Sequence, residues 1–404
     1  MTFPCSLGVP GGGTRDCLQT AQHLQAAGAK VTVLPVATHE LSRFPRRRMP
    51  DEMAGEAQEA ELREHGVEVV RVPRSRIHFL LDGLAARQVI SRLLDETEVD
   101  AVLAWHHEAA FLPGWLRSRG IPLGMIAGAG DYADRWGRGW RHDRWLRNRC
   151  LARPMREADI VFPRSHYTGR QLVDEFAVKP ERICVVPCGL DPAFAEVGRQ
   201  PSGQVKRLIY FGWFAPFKGI FDTLEALGRI KADGLTDWRL AVAGWGDDEA
   251  VRRAARDHGI ADRVELLGRL EPAALREQLA RADLAILPSQ MESFGMAVAE
   301  AQATGLPVVA YAAGAVPEVV VSGETGWLVP VGRKDLLAAS VAEALTDPAR
   351  TIRMGLAGRE RVAGRFTWEG TARSMLAALD KILGVGDRDR VTTNVPSSGS
   401  DSPT

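Results

Sequence analysis

The chain has 404 residues, 45% of them hydrophobic and 25% charged, with a formal net charge of +0. That length allows two domains of ordinary size, and the balanced charge excludes a global pull toward nucleic acid or an anionic membrane surface. No apolar run approaches the roughly 20 residues of a membrane span, and five scattered cysteines without a CxxC pair argue against a disulfide scaffold or a zinc site. Met1-Thr2-Phe3-Pro4-Cys5 lacks the charged start and apolar middle of a signal peptide. The expected setting is therefore the cytoplasm, with reduced thiols.

In chain order, short apolar strands alternate with helix-like stretches. Lys30 to Pro35, Val67 to Val72, Ala101 to Trp105, Ile121 to Ile126, Ile160 to Phe162 and Ile183 to Pro187 read as strands, with helical patterns over Arg15 to Ala27 and Leu84 to Leu94. That alternation predicts a parallel sheet covered by helices on both faces. Cys184 and Cys188 flank the end of the last of these strands and read as buried rather than reactive. A Pro- and Gly-containing stretch from Cys188 to Gly203 reads as a linker.

The alternation then restarts. Arg207 to Phe211, Trp238 to Ala243, Arg263 to Leu267, Leu284 to Leu287 and Pro307 to Tyr311 are the expected strands of a second parallel sheet. The fold class is α/β, with two Rossmann-like, doubly wound domains facing a cleft, and ligands in such sheets bind at the carboxyl ends of the strands. The expected boundaries are 1–195 and 205–366, a returning helix at 367–383, and a disordered tail at 384–404 rich in Ser, Pro, Thr, Asp and Gly.

The segment from Glu292 to Glu300 is the most informative. It follows the strand Leu284 to Leu287 and opens a run of helix formers from Met296 to Ala303, so one acid lies on the loop and a second inside the helix. Between them Ser293, Phe294 and Gly295 offer backbone N–H groups that carry partial positive charge and lack an intrahelical partner. Such a helix start binds phosphate, while Glu292 is placed to take sugar hydroxyls and Glu300 ribose hydroxyls. A solvated pair of glutamates is the bland alternative. Lys218, after the Gly212 to Gly219 segment, is placed to neutralise a diphosphate as its charge develops. Gly244-Trp245-Gly246 is a second strand-end glycine loop, a weak signal alone.

Together these motifs resemble the carboxyl-terminal half of retaining glycosyltransferases of family 4, with the GT-B architecture. The resemblance is carried by Gly212 to Gly219, Gly244 to Gly246, Ala282 to Glu300, Ala303 to Val309, Gly314 to Val320, Gly323 to Val329 and Phe366 to Glu369. It is looser in the first half, over Ala158 to Ser165 and Ile183 to Asp191. It implies transfer of a sugar from a UDP- or GDP-sugar donor to a hydroxyl-bearing acceptor such as a polysaccharide, glycolipid or secondary-metabolite precursor, with retention at the anomeric carbon. By the family's pattern Glu292 and Lys218 carry the catalysis. Donor contacts come from Gly212, Lys218, Gly246, Glu292, Ser293, Phe294, Gly295, Met296 and Glu300, with no cofactor and no metal. Gly12 and Gly13 of the segment Gly8 to Thr14 resemble the family's amino-terminal glycine loop, and the helix from Phe366 to Leu383 is expected to cross back to the first domain.

Two departures stand out. The family often has arginine directly after Gly212, where this chain has Trp213, so one cation is missing unless an arginine from elsewhere substitutes. Near Met125-Ile126 the family often places a histidine; here Asp131 and, after another strand, His107 are the acceptor-side candidates, each with a purely structural alternative. The departures keep a catalytically silent nucleotide-sugar-binding homologue in view, and a GT-B nucleotide-sugar epimerase is a further alternative. The arginines from Arg135 to Arg149, interleaved with Trp136, Trp140 and Trp145, and the run Arg46-Arg47-Arg48 read by default as solvated faces, with a membrane-surface or anionic-acceptor role as the sharper alternative. Arg- and Ala-heavy usage suggests a GC-rich bacterial genome.

Overall fold

The computed structural model describes residues 1–5, 12–35, 52–72, 79–105, 107–127, 152–199, 203 and 205–384. Two six-stranded sheets organise them, and every strand pairing is parallel. The first holds β1 (Thr2–Cys5), β2 (Thr32–Pro35), β3 (Glu68–Val69), β4 (Val102–Ala104), β5 (Leu123–Ala127) and β6 (Ile160–Pro163), in the order β3-β2-β1-β4-β5-β6. The second holds β7 (Arg207–Phe214), β8 (Arg239–Gly246), β9 (Val264–Gly268), β10 (Leu284–Leu287), β11 (Val308–Tyr311) and β12 (Trp327–Val329), in the order β12-β11-β10-β7-β8-β9. The two Rossmann-like sheets expected from the alternation are thus present.

Leu284–Leu287 and Val308–Tyr311 are buried at every position, as strands covered by helices on both faces must be. In each sheet the strand order reverses beside its first strand, between β1 and β4 and between β7 and β10. At such a switch point the connections leave toward opposite faces and open a crevice beyond the carboxyl ends of the strands. Lys218 follows β7 and Glu292 follows β10, so both emerge at the second crevice.

Strand lengths differ from the sequence expectation most in three places. Val67 to Val72 contributes only the two residues Glu68–Val69. Ile183 to Pro187 is not a strand. Its Cys184 and Val186 N–H groups donate to Val161 and Pro163 carbonyls at 2.9 Å along the edge of β6, with one isolated bridge at Ile183. The pairing stops where β6 itself ends, at Pro163. Conversely, β7 and β8 each run eight residues, because Gly212, Trp213 and Phe214 pair with Gly244, Trp245 and Gly246. The indoles of Trp213 and Trp245 stack with centroids 5.2 Å apart, a cross-strand contact that favours extending the ladder.

The helix Trp368–Leu383 starts at Thr367, whose side chain accepts from the Gly370 N–H. Its Ala372, Met375 and Leu379 are buried with Leu18, Ala21, Leu24 and Phe162 of the first sheet's layer. Trp368 itself joins the core of the second.

Candidate active site

Lys218 ends a short 3-10 turn, Pro216–Lys218, that follows β7. The buried Tyr210 hydroxyl lies 3.0 Å from the Trp213 carbonyl and 3.2 Å from the Lys218 carbonyl, anchoring the turn to the strand behind it. Burial, reinforced by the charge of Glu292, raises the Tyr210 phenol above its ordinary pKa, so it stays a neutral donor. Lys218 Nζ donates to Glu292 Oε1 at 2.7 Å, with the two side chains 28% and 17% exposed. It also lies over the Phe217 ring, 5.6 Å from the centroid.

The Glu292 backbone is clamped. Its carbonyl accepts from the Ala315 N–H at 2.9 Å, and Gly314 sits directly against it at φ 55°. A Cβ on Gly314 would stand 2.1 Å from that carbonyl oxygen, so no other residue fits without moving the loop. This requirement was visible in the sequence only as one glycine of a motif.

Gly295, at φ 91°, is the residue before the helix Met296–Ala303. Its left-handed backbone turns the loop into the helix without side-chain capping. The amides of Ser293, Phe294 and Gly295 have no hydrogen-bond partner among the described residues. They and the first helical amides, beginning at Met296, follow Glu292 directly in the chain and have no intrahelical acceptor. The Phe294 side chain turns the other way; it is buried edge-on against Phe366 with centroids 5.1 Å apart. Its share in any binding is through its backbone. The Ser293 carbonyl accepts from Thr168 Oγ1 of the first half at 3.4 Å. Nearby, the Glu318 carboxylate accepts from the His166 and Tyr167 amides at 3.0 and 2.7 Å, at the start of the helix His166–Phe176.

Glu300 is buried and pairs across the two halves, accepting from Arg15 Nη1 at 2.6 Å. Burial raises its carboxyl pKa; Arg15 opposes the rise and Asp191 adds to it. Arg15 lies on the helix Gly12–Ala26, 3.7 Å from Asp191 and over the Phe194 ring at 5.7 Å. From the second half Arg276 reaches the same two residues, 3.5 Å from Asp191 and 5.9 Å from the Phe194 centroid. Arg15 also lines a cavity of about 340 Å³ with Gln19, His23, Asp191, Trp368 and Glu369. Sequence reasoning missed Arg15; its one signal was its place three residues after Gly12, at the start of the helical stretch that follows the amino-terminal glycine loop.

Of the remaining candidates, Gly212 and Gly246 lie within paired strand ends rather than in free loops. Gly212 is half-buried and Gly246 exposed. Met296 is half-buried against the core of the second half. Gly12 and Gly13 are exposed at the start of their helix. His107 opens the 3-10 turn His107–Phe111 after β4. Trp213 stacks on Trp245 and meets Phe217 edge-on at 5.4 Å, making an aromatic surface beside Lys218. Asp131, Gly8 to Gly11, Arg46 to Arg48, Arg135 to Arg149 and the tail after Gly384 lie outside the described residues. Among the described residues no group of three or more His, Cys, Asp or Glu is arranged to hold a metal ion, and no helix is long and apolar enough to cross a membrane.

This arrangement defines a two-sheet protein whose crevice offers a lysine–glutamate pair and a row of free amides. Residues 10–194 match the family model for Glycosyltransferase Family 4, and residues 198–361 match that for Glycosyl transferases group 1. The chain belongs to the GT-B glycosyltransferases, with family 4 indicated by its first half. It is 34% identical over 237 residues to a D-inositol 3-phosphate glycosyltransferase of Segniliparus rotundus, covering 55% of this chain and 52% of that one. It is 32% identical over 222 residues to the MMP alpha-(1->4)-mannosyltransferase of Mycolicibacterium hassiacum, covering 54% and 53%. The chain thus spans about half the length of these curated relatives. Among solved structures, sucrose-phosphate synthase from Thermosynechococcus elongatus superposes with a TM-score of 0.74 at 20% identity, over 95% of this chain and 99% of that one. Anabaena Alr3699/HepE in complex with UDP-glucose superposes with a TM-score of 0.73 at 18% identity, over 94% and 99%. At these identities the structural likeness concerns the fold.

Proposed function

We propose that this chain transfers a sugar from a nucleotide-diphosphate donor to an acceptor hydroxyl, with retention at the anomeric carbon. The observation that carries the reading is the Lys218–Glu292 pair at 2.7 Å beside the free amides of residues 293–295, at a sheet's switch point. The pyrophosphate docks on those amides and the start of the helix. On its arrival Lys218 moves its ammonium from Glu292 to a phosphate oxygen, which leaves the Glu292 carboxylate to hold a donor sugar hydroxyl. Glu300 takes the ribose diol.

As the bond between the anomeric carbon and the phosphate oxygen breaks, negative charge grows on the leaving diphosphate. Lys218 and the fixed amide dipoles stabilise it without reorganising. The acceptor oxygen attacks the same face that the diphosphate leaves, and its proton passes to the departing phosphate oxygen. The products are the glycoside and a protonated nucleoside diphosphate, so charge and atoms balance. The Anabaena HepE structure with UDP-glucose supports a nucleotide-sugar donor. The family 4 match supports retention.

The test is an assay of UDP- and GDP-sugars with a panel of hydroxyl acceptors, following the product's anomeric proton by NMR. A product with the donor's anomeric configuration is expected. An inverted product contradicts the proposed stereochemistry, and tight nucleotide-sugar binding without turnover on any acceptor favours a silent binding protein.

A further inference from the structure

We infer that Arg15 supplies the second positive charge on the donor's pyrophosphate, delivered from the opposite half of the molecule. This rests on the donor site proposed above. A pyrophosphate in that site meets Lys218 on one flank. The strand ends beside Lys218 carry no second cation among the described residues; Trp213, Trp245 and Phe217 fill them with aromatic rings in mutual contact. A stacked indole pair packs well but cannot neutralise a phosphate. The helix start contributes only partial charge.

Arg15 is the guanidinium that the first half brings to Glu300. It lies 2.6 Å from Glu300, and Glu300 is five residues along the helix from Gly295. Five residues of helix rise about 7.5 Å, a span an arginine side chain covers by rotating about its own bonds. Arg15 is 32% exposed, so the guanidinium borders solvent and can turn once its contact with Glu300 is replaced. Its hold on Glu300 is also the contact that a ribose diol would replace, because the diol's hydroxyls donate to the same carboxylate. Asp191 and Phe194 keep the arginine at the junction of the halves once Glu300 is taken.

The resting ion pair is therefore a latch with two roles. It keeps the buried Glu300 carboxylate paired while the site is empty. When the nucleotide enters, ribose takes Glu300 and the released guanidinium turns to the phosphates. Full neutralisation of the leaving group then depends on both halves being in place, which couples chemistry to their closure.

Calorimetric titration of UDP and uridine, and of GDP and guanosine, against the wild-type chain, Arg15→Ala and Arg15→Lys tests this. Arg15→Ala is expected to weaken the diphosphate that binds by about 10- to 100-fold, the scale of a lost charge-assisted hydrogen bond. The matching nucleoside is expected to bind Arg15→Ala as well as wild type or more tightly, because its rival for Glu300 is gone. Arg15→Lys keeps the charge and should restore part of the diphosphate affinity, which also excludes misfolding as the cause. Equal or tighter diphosphate binding by Arg15→Ala overturns the inference and leaves Arg15 as a simple plug on Glu300. If the wild-type chain binds neither UDP nor GDP, the donor site itself is wrong and this inference falls with it.

Discussion

Each half of the molecule places a cation against a carboxylate, and the two pairs are built differently. In the first half Arg164 and Asp16 are 1% and 5% exposed, and the guanidinium has little capacity left. It donates twice to Asp16 at 2.6 and 2.8 Å, to Thr20 Oγ1 at 2.8 Å and to the Val186 carbonyl at 3.3 Å, and it lies over the Trp105 ring. Burial works against its charge, yet Asp16, together with Cys188 and Cys17, outweighs it and its pKa is raised. The Cys188 thiol donates to the same carboxylate and, by burial first, is kept well above its usual range. In the second half Lys218 and Glu292 share one hydrogen bond, are partly exposed, and adjoin three amides with no partner among the described residues. A saturated, sealed pair ties elements together; an unsaturated pair at strand ends has donors and acceptors to offer a ligand.

That contrast is tested first, and with the largest expected effect, in the sealed pair. Arg164→Leu leaves Asp16 buried without its partner and is expected to cost about 3–5 kcal/mol of stability, read as a lower urea midpoint. The double replacement of Arg164 and Asp16 by apolar residues should recover much of that loss. No recovery in the double variant, or no loss in the single variant, would erase the distinction.

Next in size, Lys218→Ala and Glu292→Ala should each lower turnover by at least ~100-fold, the scale of one lost transition-state contact. The same variants should stay within about 1 kcal/mol of wild type in stability, as partly exposed pairs contribute little. A large stability loss with unchanged turnover would reverse the roles of the two pairs. Tyr210→Phe removes the hydroxyl that anchors the Lys218 turn and should cost about 1 kcal/mol of stability, with a lower turnover because the lysine is less well held. Wild-type turnover in that variant would mean the turn is held by packing alone.

The smallest effect concerns Glu300. The fold holds its proton to higher pH than the unfolded chain does, so the native state binds the extra proton. Wild-type stability, measured against Glu300→Gln, should therefore be greatest below the ordinary glutamate pKa of about 4.3 and decline as pH rises through the raised native pKa. A difference between the two chains that stays flat, or that grows with pH, contradicts the sign.

The candidate site of the second half was legible because its residues are local. Lys218, Glu292, the amides of 293–295 and Glu300 follow strands whose apolar runs are continuous in the chain, and the strand–loop–helix order alone places them at one sheet edge. What escaped was non-local or depended on shape. Arg15 meets Glu300 across 285 positions, and no pattern in either segment names the other. The length of β7 and β8 depends on two tryptophans stacking across strands, and that contact exists only once the register is set. Phe294 was read for its backbone N–H alone, and the burial of its ring beside Phe366 had no signal in the loop sequence. Cys188, by contrast, was rightly read as buried from its place beside an apolar segment.

The most direct measurement is a crystal structure of the chain soaked with UDP or GDP. The account predicts the pyrophosphate within hydrogen-bonding distance of the amides of residues 293–295, with Lys218 drawn from Glu292 onto a phosphate oxygen. A nucleotide bound elsewhere, with Lys218 still paired to Glu292, would contradict it.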